Sequence, residues 1–302
     1  MINFIKSVLI GIRPKTLSAS IAPVLVGSAI AFKSSIGCCA NDCFDINILL
    51  LTLLAAIFIQ IGTNFANDVY DFIKGADNDD RLGPLRAVQA NLISIRSMKI
   101  LTGVAFLLSI ICGLPLVLVG GFPILIIGLL SIVSGYAYTA GPYPLGYNGW
   151  GDVFVFIFFG PIAVCGTFYL QLGYISVESI VSGVILGCLS VTLLCINNIR
   201  DVATDKKAGK RTIAVRFGIK IVKIIFIMLF FVSYILSGYL AFSRNFININ
   251  SFILLLILTT PLFIKICFDT FKLKSKELNS VLVSVSIFIS LFSILLIISI
   301  LA

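Results

Sequence analysis

The chain has 302 residues, of which 59% are hydrophobic and 12% are charged, and this charged fraction is about half that of a typical soluble domain. Such a composition excludes an ordinary soluble protein and places the chain in a membrane. Because the sequence contains no histidine, it also excludes a Ser-His relay and lacks the most common general base and transition-metal ligand.

Nine apolar segments recur along the chain, each near or above the roughly 18 residues that can span a bilayer. They are predicted to be helices because lipid offers the backbone no hydrogen-bond partners, and they are too long and too continuously apolar for barrel strands. The first has no cleavable-signal pattern after it, so we expect it to belong to the mature chain. The sequence thus predicts an all-α integral membrane fold, with residues 1–302 in a single domain. The predicted spans are 16–32, 46–65, 100–119, 122–139, 153–172, 179–196, 219–242, 249–268 and 278–301.

The basic residues are distributed unequally between the two sides of this predicted membrane protein. With the N-terminus placed in the cytoplasm, 20 of the 22 Lys and Arg residues lie inside, and only Lys33 and Arg244 lie outside. This asymmetry follows the positive-inside rule. We expect a multi-pass protein of the cell (inner) membrane with a cytoplasmic N-terminus and a C-terminus on the opposite face. The net charge of +9 then reflects topology and anionic lipid, without a nucleic-acid partner.

Cysteine and glycine form two smaller patterns. Cys38, Cys39 and Cys43 cluster in the first outer loop. A disulfide from Cys43 to one of the other two is one interpretation, and cysteine as a small apolar residue is the other. Gly183 and Gly187 have the spacing of closely packed membrane helices.

Two carboxylate motifs interrupt the apolar pattern, NFANDVYDFIKGAD from Asn64 and NNIRDVATD from Asn197. Each contains Asn and Asp four residues apart, so both side chains lie on one face of a helix. The two pairs, Asn67 with Asp71 and Asn197 with Asp201, are separated by 130 residues. The equal offset suggests two related helix-loop-helix units. Both motifs are predicted at cytoplasmic helix ends, where an unpaired Asp beside apolar sequence indicates a functional site.

The chemistry of these motifs favours a hard divalent cation that carries a diphosphate. Clustered carboxylates repel one another unless cations neutralise them. Oxygen ligands without His or thiolate suit Mg²⁺, which bridges carboxylates and phosphate oxygens. The predicted ligands are Asn67, Asp68, Asp71, Asn197, Asp201 and Asp205, of which the four Asp are also predicted to be catalytic.

Basic residues follow each motif and could complete a phosphate site. Asp79, Asp80, Lys206 and Lys207 are also consistent with solvated loop charges. The predicted substrate-binding residues of the two motifs and their loops are Asn64, Asn67, Lys74, Arg81, Arg86, Asn197, Asn198, Lys206, Lys210 and Arg211.

These residues resemble the UbiA superfamily of intramembrane prenyltransferases, and most closely its menaquinone branch, the 1,4-dihydroxy-2-naphthoate prenyltransferases. The superfamily pattern places a third Asp where this chain has Gly75. The naphthoate branch resembles this chain in having Gly there and the Asp further along, which implies that Asp77 is also a metal ligand. The resemblance lies in RPKTLSASIAPVLVGSAIA from Arg13, NFANDVYDFIKGADNDDRLGPLR from Asn64, YTAGPYPLGYNGWGD from Tyr138, FGPIAVCGTFYLQ from Phe159 and NNIRDVATDKKAGKRTIAVRFG from Asn197.

The resemblance implies a UbiA-type bundle of nine transmembrane helices with cytoplasmic Asp-rich loops. It implies that Mg²⁺ between the two motifs assists ionisation of a polyprenyl diphosphate whose chain lies in an apolar groove open to lipid. The prenyl group would pass to a dihydroxynaphthoate-type aromatic acceptor with loss of CO₂, giving demethylmenaquinone. This chemistry requires no His base.

Four tyrosines lie at the end of the fourth predicted span and in the loop after it: Tyr136, Tyr138, Tyr143 and Tyr147. Their π faces could shield the allylic cation that the resemblance implies, although interfacial tyrosines also anchor proteins in membranes. Tyr138, Tyr143 and Tyr147 are therefore predicted to bind substrate.

Three alternatives remain open at the level of the sequence. A secondary transporter also has internal repeats and intramembrane Asp, but its site is expected near the membrane midplane. A phosphatidyl-alcohol transferase also uses Mg²⁺ and Asp, but this chain lacks the single compact motif of that family. Within the prenyltransferases, the acceptor could instead be a hydroxybenzoate, a homogentisate, a haem or a chlorophyllide.

Overall fold

A computed structural model describes residues 2–36, 44–78 and 81–302, and every regular element in these ranges is helical. A π-helical turn at Phe158–Ile162 joins α5 to α6, and a short 3₁₀ helix at Ser275–Glu277 precedes α11. The helices are α1 (Ile2–Ile12), α2 (Pro14–Ser35), α3 (Ile46–Ile73), α4 (Ile95–Ala137), α5 (Gly151–Ile157), α6 (Ala163–Leu172), α7 (Val177–Lys207), α8 (Ile213–Phe217), α9 (Ile219–Phe242), α10 (Ile249–Lys272) and α11 (Leu278–Leu301).

Eight helical stretches of the described chain are long and apolar enough to cross a membrane, which agrees with the predicted class of multi-pass membrane protein. They are Thr16–Ser35, Ile46–Ile73, Ile95–Ala137, Gly151–Leu172, Val177–Lys207, Ile219–Phe242, Ile249–Lys272 and Ser275–Leu301. The predicted span 100–119 lies within α4, and the predicted span 122–139 lies within it except for its last two residues, so this one helix accounts for the difference from nine.

The α4 helix is interrupted at Gly121, whose φ of 66° and ψ of −154° are not helical. The Phe106 ring, before this point, lies against Gly62 of α3, and Gly135, after it, lies against the Thr63 hydroxyl. Because both arms of α4 contact the same turn of α3, the chain reverses direction between them. Glycine suits this reversal because it adopts a positive φ without steric cost.

Short polar side chains determine where three of the long helices begin. Asp45 accepts a hydrogen bond from the backbone N–H of Asn47 (2.7 Å), Ser94 caps α4, and Ser176 forms a reciprocal pair with Ser179 at the start of α7. These caps satisfy backbone donors that have no partner inside the helix.

The backbones of α7 and the α5–α6 segment approach closely at three glycines. A Cβ on Gly160 would lie 2.5 Å from the Gly183 carbonyl oxygen and 2.6 Å from the Gly187 Cα. Side chains larger than hydrogen would therefore separate the helices. The packing role predicted for Gly183 and Gly187 is confirmed, and it holds the second carboxylate motif beside α5.

The two ends of the bundle differ in composition. At one end, Arg13 donates a hydrogen bond to the Asn64 backbone oxygen at 3.2 Å, next to the carboxylate motifs. At the other, Lys33 donates to the Ile300 oxygen at 2.6 Å, and Arg244 pairs with Glu178 at 2.7 Å. The two basic residues predicted to lie outside are thus far from the motifs, since α2 separates Arg13 from Lys33.

Candidate active site

The two carboxylate motifs meet at a single ammonium group. The Nζ of Lys210, in the loop after α7, lies 3.2 Å from Asp71 Oδ1 on α3 and 4.0 Å from Asp205 Oδ1 on α7. Burial lowers the pKa of Lys210, but these carboxylates outweigh it and raise the pKa above its ordinary value. The ammonium therefore stays charged between the two helices. The structure brings together the two motifs that the sequence paired.

Asp71 is the most connected of the predicted site residues. Its Oδ1 also accepts a hydrogen bond from the Tyr147 hydroxyl (2.8 Å), and its Oδ2 accepts one from Arg86 Nη2 (3.2 Å). Burial, reinforced by the Asp71 charge, raises the pKa of Tyr147, so this hydroxyl remains a donor. One carboxylate thus joins α3, the loop after it, the loop after α4 and the loop after α7.

Asp77 reaches the same place by a turn in the chain. The α3 helix ends at Ile73, Gly75 takes a φ of 72°, and the backbone N–H of Asp77 donates to the Asp71 carbonyl oxygen at 3.2 Å. In the second motif α7 continues to Lys207, so Asp205 remains helical. This difference in helix length is why the third acidic residue follows different spacings in the two motifs.

Arg86 lies between Asp71 and Asp77, with its Nε 3.1 Å from Asp77 Oδ2, and Arg81 pairs with Asp77 from the other side. Asp77 Oδ2, Arg86 Nε and Arg86 Nη1 are buried and lack hydrogen bonds of good geometry. Burial and the nearby Asp71 charge raise the pKa of Asp77 above its ordinary value despite Arg81. The predicted residues Arg81, Arg86 and Asp77 are therefore assembled in a cluster with unused polar capacity.

Asp68, which is also predicted to be a metal ligand, is bonded to backbone groups in this structure. Its side chain is fully buried, and its two oxygens accept hydrogen bonds from the backbone N–H groups of Ala87 (3.1 Å) and Val88 (3.2 Å). Both oxygens are thereby used in holding the segment that carries Arg86. Sequence spacing placed Asp68 near Asp71 on the helix surface, but the returning loop covers it. Its structural role is to position that loop.

Asp201 is paired with a residue that the sequence analysis did not single out. Arg200 donates to both of its carboxylate oxygens, from Nε at 2.7 Å and from Nη2 at 2.6 Å. Arg200 Nη1 donates to Asn279 Oδ1 at 2.7 Å, and Asn279 Nδ2 donates to the Leu82 oxygen at 2.8 Å. This chain of bonds connects the second motif to α11 and to the loop after the first motif.

The four predicted asparagines have different surroundings. Asn64 donates to the Ile12 oxygen at 2.9 Å and so anchors α1, while Asn67 accepts from the Thr139 hydroxyl at 2.9 Å. Asn198 lies 3.4 Å from the carboxylate of Asp152, a buried residue that sequence reasoning missed. Its signal was a lone Asp at the start of an apolar run. Asn64, Asn67 and Asn197 line the cavity described below.

Lys74 and Lys210 lie over the Tyr147 ring, with Nζ 4.9 Å and 4.5 Å from its centroid. Lys74 also donates to the Thr139 oxygen at 2.7 Å. A ring that carries two ammonium groups on its π face helps to concentrate positive charge beside Asp71. Lys74, Lys210 and Tyr147 are each predicted to bind substrate, and the structure places the three side chains in contact.

Three other predicted side chains lie away from this cluster. Tyr143 is 59% exposed, and Lys206 and Arg211 are exposed on the surface. The α7 helix directs Lys206 outward because it is one residue, or about 100°, beyond Asp205. Contact of these three side chains with substrate stays a prediction. Tyr136 pairs with the Tyr70 hydroxyl, whereas Tyr138 lines the cavity. Asp79, Asp80, Cys38, Cys39 and Cys43 lie outside the described residues.

An apolar cavity of about 520 Å³ begins beneath the cluster and extends into the membrane-spanning part of the bundle. Asn67, Asn197 and Tyr138 line its polar end, and Leu116, Ile124 and Leu170 pack together at its far end. Ile110, Leu114, Leu125 and Leu129 line it and are also exposed between the two arms of α4. The cavity therefore opens sideways, toward lipid in a membrane.

The oxygen atoms of this site fit a hard divalent cation, although in the described residues no three acidic, Cys or His side chains are already grouped around one point. Their charges are held apart because Lys210 and Arg86 lie between the carboxylates. Asp77 Oδ2 lies 3.1 Å from Arg86 Nε but makes no hydrogen bond of good geometry, so it keeps the capacity to bind a further ligand. These are properties of an acidic site that a cation would stabilise.

Comparison with known proteins identifies the class. The model of the UbiA prenyltransferase family matches residues 20–298, so the chain belongs to this family. It is an aromatic prenyltransferase embedded in the membrane, and the transporter and phosphatidyl-alcohol transferase alternatives are thereby set aside.

Two relatives are 1,4-dihydroxy-2-naphthoate octaprenyltransferases. The protein from Escherichia coli is 39% identical over 215 residues, which cover 68% of this chain and 67% of the relative. The protein from Mycobacterium tuberculosis is 39% identical over 210 residues, covering 69% and 68%. A UbiA homologue from Archaeoglobus fulgidus, solved with DMAPP and Mg²⁺, matches the fold with a TM-score of 0.64 at 20% identity, covering 97% of this chain and 99% of that one.

Proposed function

We propose that this enzyme transfers a polyprenyl group from an allylic diphosphate to 1,4-dihydroxy-2-naphthoate, with loss of CO₂, to give the quinol form of demethylmenaquinone. The observation that carries the proposal is the meeting of both carboxylate motifs around Lys210 at the polar end of an apolar cavity. The diphosphate group of a prenyl donor suits the charged end of this cavity, and the hydrocarbon chain of the donor suits the apolar end.

The diphosphate would bind where basic side chains surround the acidic cluster. Lys74, Arg81, Arg86 and Lys210 supply donors around Asp71 and Asp77, and charge-assisted hydrogen bonds are the strong ones. Mg²⁺ held at this site would supply positive charge that stabilises the departing diphosphate. The residues that would hold Mg²⁺ are Asn67, Asp71, Asp77, Asn197, Asp201 and Asp205. The Mg²⁺ named with the Archaeoglobus homologue supports this proposal.

The cavity would hold the prenyl chain and keep water from the allylic carbon. The lateral opening beside Leu114 and Leu129 gives a long chain access from the bilayer. The ring of Tyr138, at the polar end, presents a π face near the bond that breaks. The diphosphate departs with the bonding electrons, a ring carbon of the acceptor forms the new bond, and its carboxylate leaves as CO₂.

The names of the two bacterial relatives support naphthoate as the acceptor. The test is purified protein in detergent with Mg²⁺, octaprenyl diphosphate and separate aromatic acids, with products identified by mass. Prenylated, decarboxylated naphthoate that is absent in EDTA is the expected result. Prenylated hydroxybenzoate or homogentisate, with no naphthoate product, would reassign the acceptor.

We further propose nine membrane crossings, because α4 reverses at Gly121, and a cytoplasmic site. Only Lys33 and Arg244, of the 22 basic residues, were predicted on the side opposite the motifs, and the structure places both at the far end of the bundle. This distribution supports the orientation. Cysteine labelling of Lys6→Cys and Ala302→Cys in membrane vesicles tests it. Labelling from opposite sides is expected, and labelling of both from one side contradicts an odd number of crossings.

A further inference from the structure

Several polar side chains line the cavity. Five hydroxyl groups in its membrane-spanning part donate to carbonyl oxygens of their own helices, which removes most of the cost of burying them. They are Thr52, Ser109, Ser131, Thr167 and Ser190, with distances of 2.7 to 2.8 Å. These groups need no ligand.

Gln60 is different. It lies at the middle of α3 and lines the same cavity, and its amide makes no hydrogen bond with any protein group in the described ranges 2–36, 44–78 and 81–302. A primary amide offers two donor hydrogens and an acceptor oxygen. Leaving it without a partner inside a membrane is costly, so an unpaired intramembrane polar residue indicates a functional site.

The position of Gln60 indicates that its partner is not the prenyl donor. Gln60, Asn64, Asn67 and Asp71 form one stripe along α3, with spacings of four, three and four residues. At 1.5 Å per residue, Gln60 lies about 16 Å from Asp71 along the helix axis. A diphosphate held near Asp71 is out of reach of a Gln side chain, and a prenyl chain is a hydrocarbon without hydrogen-bonding groups.

The aromatic acceptor is the substrate that carries polar groups into the cavity. We infer that Gln60 recognises the acceptor, with its amide bonded to a ring hydroxyl or to the ring carboxylate of a hydroxylated aromatic acid. This inference rests on the proposed function. It makes Gln60 a specificity residue, because an amide that faces an apolar cavity discriminates against a ring that lacks the matching substituent.

The experiment replaces Gln60 with Leu and, as a second variant closer in length, with Met. The affinity for 1,4-dihydroxy-2-naphthoate is measured without donor by titration calorimetry, and the KM values of both substrates are measured during turnover. Ser237→Ala is the matched control. Its hydroxyl is fully buried in the spanning helix α9, away from the cavity, and bonds to the Ser233 oxygen.

Both Gln60 variants are expected to bind the acceptor about tenfold more weakly, with the KM of the diphosphate unchanged, because one hydrogen bond is lost. Two analogues identify the bonded group: 1,4-dihydroxynaphthalene lacks the carboxylate, and 1-hydroxy-2-naphthoate lacks the 4-hydroxyl. The analogue without that group should bind wild type and variants equally.

Unchanged acceptor affinity in both variants would overturn the inference, as would an equal rise in both KM values. Absence of any prenylated naphthoate from the wild-type enzyme would instead overturn the proposed acceptor. The two failures are therefore distinguished by the wild-type reaction.

Discussion

Asp71 on α3 and Asp201 on α7 occupy matching positions in their motifs, but they are neutralised differently. Asp71 binds Arg86, Lys210 and Tyr147, which come from three separate loops. Asp201 is held by Arg200, its immediate neighbour in the chain. The two motifs therefore make different contributions. The first motif holds three loops together through Asp71, and the second supplies Asp205 and the link from Arg200 to α11.

The largest expected effect is the loss of a motif carboxylate. Asp71→Asn and Asp201→Asn should each reduce turnover by at least about 100-fold, because each removes charge that positions the donor. Asp71→Asn should also lower the free energy of unfolding by about 3 kcal/mol, since it leaves the buried Arg86 and the partly buried Lys210 without this partner. Product formation and thermal unfolding measure the two effects. Asp269→Asn, on α10, is the control, and equal stability of both motif variants would contradict the comparison.

The next largest effect is expected from replacing the basic residues around Asp71. Lys74→Ala and Lys210→Met each remove a donor to the diphosphate, and we expect the KM of the donor to rise about ten- to a hundredfold while that of the acceptor is unchanged. Lys206→Met is the matched control, because that side chain is exposed. Steady-state kinetics with each substrate varied in turn measures the two KM values. Equal effects on both substrates would mean that these residues act through folding or loop closure.

A substitution at Asp68 tests whether this carboxylate of the first motif has a structural role or binds the metal. Asp68→Asn weakens its bonds to the Ala87 and Val88 N–H groups, which hold the loop that carries Arg86. We expect about a tenfold rise in donor KM, together with faster proteolysis between residues 78 and 90. A fall in kcat as large as that of Asp71→Asn, with unchanged proteolysis, would restore Asp68 to the ligand role that the sequence predicted.

The smallest expected effect concerns the link from Arg200 to the last helix. Asn279→Ala removes one acceptor for Arg200 and one donor to the Leu82 oxygen, so we expect about a fivefold loss in kcat/KM for the donor, from one net hydrogen bond. Asn279→Asp keeps the acceptor but loses the donor and should be intermediate. Ser280→Ala, one residue further along α11, should match wild type. A loss confined to the acceptor would argue against this link.

Several features of this protein could be predicted from local sequence. Long apolar runs define membrane helices because the bilayer satisfies no backbone groups, and the predicted spans end and resume on either side of Gly121, where the structure reverses. The pairing of the two motifs also followed from their spacing. Gln60 and Asp152 were missed although each is a lone polar residue in or beside an apolar run, which is a detectable signal. Asn279 has no comparable signal.

The sequence by itself determined the membrane class, the helical segments and the pairing of two acidic motifs, because hydropathy and helical periodicity are local properties. Only the tertiary structure decided which carboxylates face the site. Asp68 and Asp71 are three residues apart on one helix, yet the returning loop covers the first and leaves the second among the cations. A side chain's partners depend on how distant loops return to the helix, and the spacing of residues along that helix does not contain this information.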